Sequence, residues 1–348
     1  MGGPLVAVVG AGAWGTTLAR VIARVEPVTL LCHSEATAAE IRATGRNERR
    51  LPGIDLGRSV VATADPSALA EATDLVVFAA PSSHLRSTAA ACAPYLDASA
   101  DVLSVVKGLE RVTLLRMSEV IAESARIAPG RIAALSGPNL AAEVARNLPA
   151  SAVVASTDPA LAERIVARIA RRRFRMWVNQ DILGVELAGA TKNVIAIAAG
   201  AADGIGFGDN GKAGLLTRGL AEMMRLGIAA GANPLTFAGL AGMGDLIATC
   251  GSSLSRNHRL GEELAKGRTW AQIEADLPGT AEGAYTVQAA LALADRLGVE
   301  MPIAREVYRA LFEDKSVKRC LVDLLARESK DELSDNSAWI ARVGEHRA

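Results

Sequence analysis

In the first half of the chain, short apolar runs alternate with alanine-rich segments whose apolar residues recur every three or four positions. The runs are typical of strands and the segments are typical of helices. The predicted strands lie at residues 5–9, 28–31, 60–63, 74–78, 102–106, 132–135 and 153–155, with a turn or an edge strand at 175–178. Strands that alternate with helices indicate an α/β fold with a mainly parallel, doubly wound sheet and antiparallel additions near its end.

The alternation stops after residue 181, and a second pattern begins. From Val185 onward the chain reads as helices separated by glycine-rich breaks, and it closes with a charged helical segment at 325–332. A chain of 348 residues is long enough to bury more than one core. We therefore expect an α/β domain at residues 1–184, followed by an all-α domain at residues 185–348.

The helix predicted after residue 184 is apolar nearly all round, which is typical of a buried helix. Lys192 and Asn193 interrupt it. The residues four positions away from Lys192 are Ala188 and Ala196, and such small side chains leave room for a ligand beside the amine. Desolvation there would disfavour the ammonium form and make the lysine a proton acceptor. Alternatively, Lys192 lies on a solvated face or extends its amine out of the core.

A glycine-rich motif, GAGAWG, follows the first predicted strand and opens a helical pattern. Gly10 permits a tight turn, Gly12 lets the backbone approach a pyrophosphate, and Gly15 allows the helix to pack closely on the strand. The helix start then supplies amide donors for the phosphates. This context predicts a Rossmann-type dinucleotide-binding domain, and the alternative is a purely structural glycine turn.

The end of the second predicted strand bears on the choice between NAD and NADP. An NAD site usually has an acidic residue there for the ribose hydroxyls, whereas this chain has His33 and Ser34, and Glu35 comes late. His33, Ser34, Arg49 and Arg50 suit a 2′-phosphate, which favours NADP over NAD. The alternative is that both arginines are ordinary surface residues.

Polar residues follow two further predicted strands. Lys107 and Gly108 come after the strand at 102–106, and residues 136–139, Ser-Gly-Pro-Asn, come after the strand at 132–135. Ligands of doubly wound sheets bind beyond the carboxyl ends of the strands, so we expect a binding role for these residues. The alternative is that both segments are ordinary polar strand exits.

Three predicted helix starts in the second half carry polar residues. Asp245, in GMGDL, is either a helix cap or a site residue. Ser255, Arg256 and Asn257 form either an anion site or a plain capped start. Glu282 either accepts hydrogen bonds from a cofactor amide or only favours the helix dipole.

Charge and composition narrow the classes of partner. Lys+Arg and Asp+Glu both number 38, so no electrostatic footprint for nucleic acid is expected. One basic run, Arg171 to Arg173 with Arg175, is expected to be a solvated helix end. The four cysteines and four histidines show no metal-ligand spacing, which favours a reduced, cytoplasmic protein without a metal. We expect no secretion signal and no membrane span.

The run from Gly184 to Met223, GVELAGATKNVIAIAAGAADGIGFGDNGKAGLLTRGLAEM, is followed by GMGDLIATC and SRN. Together with the glycine motif, these segments resemble the bacterial NAD(P)-dependent glycerol-3-phosphate dehydrogenases, from Val6 to Glu332. The resemblance implies the reaction sn-glycerol 3-phosphate + NAD(P)+ ⇌ dihydroxyacetone phosphate + NAD(P)H + H+. It also implies a role in glycerophospholipid synthesis, with a small phosphate compound as substrate.

The same resemblance assigns roles to particular residues. Lys192 is the implied proton acceptor, with Lys107 and Asp245 at the hydroxyl end of the substrate. The implied substrate contacts are Lys107, Gly137, Asn139, Lys192, Asp245, Ser255, Arg256 and Asn257. The implied cofactor contacts are Gly10, Gly12, Trp14, Gly15, His33, Arg50, Lys107, Ala141, Arg256, Ala281 and Glu282.

Three positions depart from the pattern of the family. Ala13 stands where bacterial members often have Ser, and Asn139 replaces a usual Ser or Thr. Arg50 stands where an aromatic residue often precedes LPG, which reinforces the expectation of NADP. Two alternatives remain at this point: a 3-hydroxyacid dehydrogenase of the same architecture, and a nucleotide-binding sensor without catalysis. The apolar second half favours a homodimer.

Overall fold

An eight-stranded sheet organises the first part of the chain. The computed structural model describes residues 5–276 and 279–328. The strands are β1 Val6–Val9, β2 Val28–Leu31, β3 Val60–Thr63, β4 Leu75–Phe78, β5 Asp101–Ser104, β6 Ile132–Ser136, β7 Ala150–Ala155 and β8 Phe174–Asn179. Their order is β3-β2-β1-β4-β5-β6-β7-β8, and only the β6–β7 pairing is antiparallel. The predicted doubly wound sheet with a late antiparallel addition is therefore confirmed.

Both faces of the sheet are buried at its central strands, which explains why β1, β2 and β4 read as continuous apolar runs. In β1, Val6 and Val8 belong to one hydrophobic cluster, whereas Ala7 and Val9 belong to a second cluster. The helices between the strands are α1 Ala13–Ile22, α2 Glu35–Thr44, α3 Leu85–Cys92, α4 Met117–Ala125, α5 Ala141–Ala145 and α6 Pro159–Ile169.

Some strand bounds differ from the prediction. The strand predicted at 102–106 is β5, which ends at Ser104, so Lys107 lies on the loop beyond it. The segment predicted as a turn or an edge strand is a full edge strand, β8.

The second part of the chain is helical, as predicted. Its helices are α7 Ile182–Gly204, α8 Gly208–Ala229, α9 Pro234–Ala238, α10 Asp245–Cys250, α11 Arg256–Ala265, α12 Trp270–Asp276, α13 Glu282–Leu297, α14 Pro302–Phe312 and α15 Val317–Leu325. A π-helical segment, Leu240–Gly244, leads directly into α10. A closing helix was predicted at 325–332. For residues 326–328 this prediction is wrong, because α15 ends at Leu325. Residues 329–332 lie outside the described part of the chain.

The chain divides into two compact units. The first unit comprises Met1–Glu110 and Leu115–Glu186, and the second comprises Arg111–Leu114 and Leu187–Ala348. The main division thus falls between Glu186 and Leu187, close to the boundary expected at residue 184. The short segment from Arg111 to Leu114 was not expected to group with the helical unit.

Helix α7 is long and apolar enough to cross a membrane by length and composition, and no other described helix is. Its most apolar 18-residue window has a mean hydropathy of 1.5, and 83% of that window is buried inside the protein. A buried core helix of a globular protein can have the same length and apolar composition as a membrane-spanning helix. The burial of α7 fits the interpretation of this segment as a buried helix that Lys192 and Asn193 interrupt.

Two buried carboxylates that the sequence analysis did not identify hold loops and helix starts. In the first unit, Glu186 accepts hydrogen bonds from the Ser118 amide at 2.8 Å and pairs with Arg116 at 2.7 Å. In the second unit, Glu222 accepts hydrogen bonds from the amides of Ile303 and Ala304 at 2.7 and 3.2 Å, which satisfies the start of α14. Burial raises the pKa of Glu222 to about 7, although these amide donors favour its ionised form.

We predict that Glu222 makes the protein less stable as pH rises from about 4.5 to about 7. In that range the folded chain keeps the Glu222 proton that the unfolded chain, with a pKa of 4.5, releases. The free energy of unfolding should therefore fall by up to about 1.4 kcal/mol per pH unit. Urea denaturation of the wild type and of Glu222→Gln at several pH values measures this slope, which the substitution should remove. Equal slopes in the two proteins would contradict the prediction.

Candidate active site

The glycine loop between β1 and α1 has the backbone that a bound phosphate requires. Gly10 adopts φ 113°, and a Cβ there would lie 2.9 Å from the backbone of Ala79. A Cβ on Gly15 would lie 2.0 Å from the carbonyl oxygen of Gly10, so the helix packs against the loop without any side chain between them. A Cβ on Gly12 would meet no protein atom within 4 Å. Gly12 is also the N-cap residue of α1, and it has no side chain that could accept hydrogen bonds from the first amides of the helix. The amide donors at the start of α1 thus remain accessible to an anion, which fits a dinucleotide phosphate.

A buried asparagine, Asn47, fixes this loop from outside the motif. Its Nδ2 donates to the Ala11 carbonyl at 3.0 Å and to Thr16 Oγ1 at 2.9 Å. Asn47 was not predicted as a site residue, because it stands 31 residues from Thr16 and belongs to no recognisable motif.

Trp14 and Ala141 lie where α1 meets its neighbours. The Trp14 ring packs edge-on against Phe174, with ring centroids 6.1 Å apart. Its Nε1 is buried and has no hydrogen-bond partner among residues 5–276 and 279–328. Thr17 Oγ1 donates to the Ala141 carbonyl at 3.1 Å, which holds the start of α5 beside α1.

Three of the predicted site residues between β2 and β3 are exposed basic side chains: His33, Arg49 and Arg50. Ser34 caps α2 by accepting a hydrogen bond from the Thr37 amide at 3.3 Å. The Glu35 carboxylate forms an ion pair with Arg42 on the same helix.

The exits of β5 and β6 come together in the first unit. Lys107 Nζ donates to the Gly137 carbonyl at 3.0 Å. Gly137 adopts φ 134°, and a Cβ there would lie 2.9 Å from the Ser151 carbonyl oxygen, so only glycine fits. Asn139 Nδ2 donates to the same oxygen at 2.8 Å, while its Oδ1 is buried without a partner in the described chain. The structure therefore unites Lys107, Gly137 and Asn139, and leaves one buried acceptor atom for a ligand donor.

The centre of the second unit is a buried polar triad. Lys192 is only 5% exposed, and its Nζ donates to Thr249 Oγ1 at 2.6 Å and lies 3.2 Å from Asp245 Oδ1. Thr249 Oγ1 in turn donates to Asp245 Oδ1 at 3.1 Å. The alternatives of a solvated Lys192 and of Asp245 as a helix cap are therefore wrong.

The chain before α10 explains how Asp245 reaches this place. The π-helical segment Leu240–Gly244 packs so closely on the end of α9 that a Cβ on Gly242 would lie 2.0 Å from the Phe237 carbonyl oxygen. Asp245 then begins α10, and Thr249, four residues later, shares its face. That spacing was the available signal for Thr249, which the sequence analysis did not identify.

Opposing effects act on the Lys192 amine. Burial disfavours the ammonium form, whereas the Asp245 carboxylate favours it. An amine held between these effects, and positioned by the Thr249 hydroxyl, can accept and return a proton.

Asn193, the neighbour of Lys192, binds Asn257, whose side chain joins three helices. Asn257 Nδ2 donates to Asn193 Oδ1 at 2.9 Å, and Asn257 Oδ1 accepts from the Gly283 amide at 3.0 Å. These bonds connect α7 with the starts of α11 and α13. The Asn257 amide was expected to contact substrate, but in the structure both of its polar atoms bind protein groups.

The starts of α11 and α13 carry the other predicted residues. Ser255 caps α11 by accepting a hydrogen bond from the His258 amide at 3.2 Å, and Arg256 follows it with an exposed side chain. Ala281 is the buried N-cap of α13, and Glu282 places a carboxylate in the first turn of that helix. Because Asn257 links these two helix starts, the second unit brings the predicted residues of both close together.

Two family models match this sequence. The model for the N-terminus of NAD-dependent glycerol-3-phosphate dehydrogenase matches residues 5–162, and the model for the C-terminus of the same family matches residues 181–322. Together they cover most of both units.

Curated proteins and solved structures show the same similarity. The glycerol-3-phosphate dehydrogenase (NAD(P)+) of Frankia casuarinae is 47% identical over 323 residues, which is 92% of this chain and 96% of that protein. The enzyme of the same name from Streptomyces coelicolor is 45% identical, over 94% of this chain and 97% of its own length. The crystal structure of glycerol-3-phosphate dehydrogenase from Coxiella burnetii has a TM-score of 0.88 and 36% identity, covering 92% of this chain and 98% of that one.

Two glycine substitutions should separate folding from nucleotide binding. Gly15→Ala places its Cβ against the Gly10 carbonyl and should cost about 1–3 kcal/mol of stability. Gly12→Ala meets no protein atom within 4 Å, so it should cost less than about 1 kcal/mol while weakening NADP+ binding. Thermal unfolding and nucleotide titration of both variants measure the two effects. Unchanged NADP+ affinity in Gly12→Ala would show that phosphate does not approach the loop there.

Proposed function

Because the chain belongs to the NAD-dependent glycerol-3-phosphate dehydrogenase family, we propose that it interconverts sn-glycerol 3-phosphate and dihydroxyacetone phosphate with NAD(P) as the redox partner. The buried triad of Lys192, Thr249 and Asp245 carries this proposal, since it supplies a proton acceptor in a chain 47% identical to one such enzyme. The product would serve glycerophospholipid synthesis.

Lys192 is the general acid and base of the proposed reaction. In oxidation its amine takes the proton of the substrate hydroxyl, and in reduction the ammonium returns that proton. Asp245 stabilises the ammonium form, and Thr249 fixes the position of Nζ by accepting its hydrogen bond. When bound, NAD(P) would supply the hydride chemistry of the reaction.

Other residues bind the substrate. The phosphate would be held by Arg256, by Ser255 and by the amide donors at the start of α11, as is usual for anions at helix starts. Asn257 is a positioning residue, because its amide ties α11 to Asn193. In the first unit, the unpartnered Oδ1 of Asn139 would accept a substrate hydroxyl, and Lys107, held by Gly137, would donate to a substrate oxygen.

The nucleotide would be held mainly by the first unit. Gly10, Gly12 and Gly15 shape the phosphate site, and Trp14 and Ala141 flank it. The remaining proposed cofactor contacts are His33, Arg50, Lys107, Arg256, Ala281 and Glu282.

Relatives of this chain are named as NAD(P)+ enzymes, and we propose that this one prefers NADP. The Glu35 carboxylate, which could otherwise accept the ribose hydroxyls, forms an ion pair with Arg42. His33, Arg49 and Arg50 expose basic groups that suit a 2′-phosphate.

We also propose a cytoplasmic homodimer. All four cysteines are free and buried, as is usual for proteins of a reducing compartment. Large apolar side chains of the second unit, including Leu235, Ile247 and Val322, are exposed in the single chain.

Replacing Lys192 with alanine should lower kcat by about a hundred- to ten-thousand-fold, because the proton acceptor is lost. The assay follows the absorbance of NADPH or NADH with dihydroxyacetone phosphate. Lys318→Ala removes an exposed lysine of the same unit and should leave kcat unchanged. Near-normal turnover in Lys192→Ala would reject the assigned role. Turnover of 3-hydroxyisobutyrate alone would favour a hydroxyacid dehydrogenase, and nucleotide binding without any turnover would favour a sensor.

The double substitution Arg49→Ala with Arg50→Ala should raise the KM for NADPH about tenfold or more, the effect of losing charged hydrogen bonds to a phosphate. The KM for NADH, which lacks that phosphate, should change little and serves as the internal control. Parallel changes for the two nucleotides would show that these arginines do not read the 2′-phosphate.

A further inference from the structure

Three segments of the first unit surround a cavity of about 390 Å³, here called the arginine cavity. It is lined by Arg24, Asn147, Arg171, Arg172 and Arg173. Arg24 follows α1, Asn147 lies between α5 and β7, and the other three connect α6 with β8. The basic run that was expected to be a solvated helix end is thus brought together with a fourth arginine from a distant part of the chain.

The positive charges around this cavity are not balanced. Within residues 5–276 and 279–328, none of its four arginines forms an ion pair with a carboxylate. Arg171 uses Nη1 to bind the carbonyls of Arg168 and Ala170, while its Nε and Nη2 are buried without a partner in that same part of the chain. The carboxylate that acts on Arg171, Glu26, already pairs with Arg168 at 3.1 Å.

Like charges so close together are unfavourable unless an anion joins them. Burial lowers the pKa of Arg171, the Glu26 carboxylate raises it, and the Arg24 guanidinium lowers it again. The chain as a whole has no net charge, so this local excess is not part of a generally basic surface.

Asn147 holds two of the arginines in place. Its Oδ1 accepts a hydrogen bond from Arg24 Nη1 at 2.7 Å, and its main-chain oxygen accepts one from Arg173 Nη1 at 3.3 Å. Asn147 does so with φ 62°, a left-handed conformation that asparagine tolerates better than most residues. The guanidinium groups of Arg24 and Arg173 are therefore oriented before any ligand arrives.

We propose that the arginine cavity binds a small, soluble anion that carries two or more phosphate groups. Guanidinium groups match phosphate oxygens with paired hydrogen bonds. A single phosphate, with a charge of about −2, would leave about half of the four positive charges unbalanced. The cavity volume lies at the small end of the range of about 300–1,000 Å³ for small-molecule sites, which fits a small ligand.

This site is separate from the proposed nucleotide site. The glycine loop stands at the amino end of α1, and Arg24 stands beyond its carboxyl end. A helix of ten residues spans roughly 15 Å, so the two sites lie at opposite ends of α1. The inference does not rest on the proposed reaction.

Calorimetric titration with inorganic tripolyphosphate tests the proposal, with the protein saturated by NADP+ so that the nucleotide site is closed to the probe. We expect one tripolyphosphate to bind per wild-type chain and inorganic phosphate to bind far more weakly. Arg172→Glu should weaken tripolyphosphate at least about tenfold. Arg172 is exposed and forms no hydrogen bond with the described residues, so its replacement should not impair folding.

Arg58→Glu is the matched control, because it makes the same charge change before β3, at the other edge of the sheet. It should leave the tripolyphosphate affinity nearly unchanged. Equal weakening by both substitutions would overturn the proposal in favour of general charge screening. Absence of binding to the wild type, or binding that appears only without NADP+, would also overturn it. Since the titration requires no turnover, failure of the proposed reaction would not affect the result.

Discussion

A charged amine in the middle of an apolar helix can be buried only if another part of the chain supplies its partners. In α7 this requirement determines much of the second unit. Lys192 needs Asp245 and Thr249, and the π-helical turn with its closely packed glycine places both of them. Asn193, one residue along, needs Asn257, which in turn receives the Gly283 amide. The same contacts that make the burial of polar groups tolerable also assemble the groups required for proton transfer.

In the first unit the corresponding constraint is close backbone approach. Gly15 packs on the Gly10 carbonyl, and Gly137 packs on the Ser151 carbonyl, at distances where no side chain fits. Both contacts stand beside strand ends, where a doubly wound sheet presents its loops to ligands. Because both faces of the sheet are buried at its central strands, polar side chains and accessible amides that could bind a ligand are found mainly on these loops. The rigid core and the binding loops are thus consequences of one architecture.

The strands and helix starts were predictable because their signals are local. β2 and β3 agree with the prediction to the residue, and the Ser255 cap and the glycine fingerprint were read directly from short segments. Asn47, Glu186 and Glu222 were not predicted, since each acts on a partner far away in the chain. Glu222 and the Ile303 amide, for example, are 81 residues apart. No periodicity or spacing in the sequence indicates such a pairing, because it depends on tertiary contacts.

The adjacent positions of Lys192 and Asn193 also restrict how α7 can change in evolution. Successive residues point about 100° apart around a helix, so the two side chains fix its rotation from two directions. Inserting or deleting one residue earlier in the helix would turn both away from their partners at once. The segment from Leu187 to Lys192 should therefore keep a constant length among functional variants.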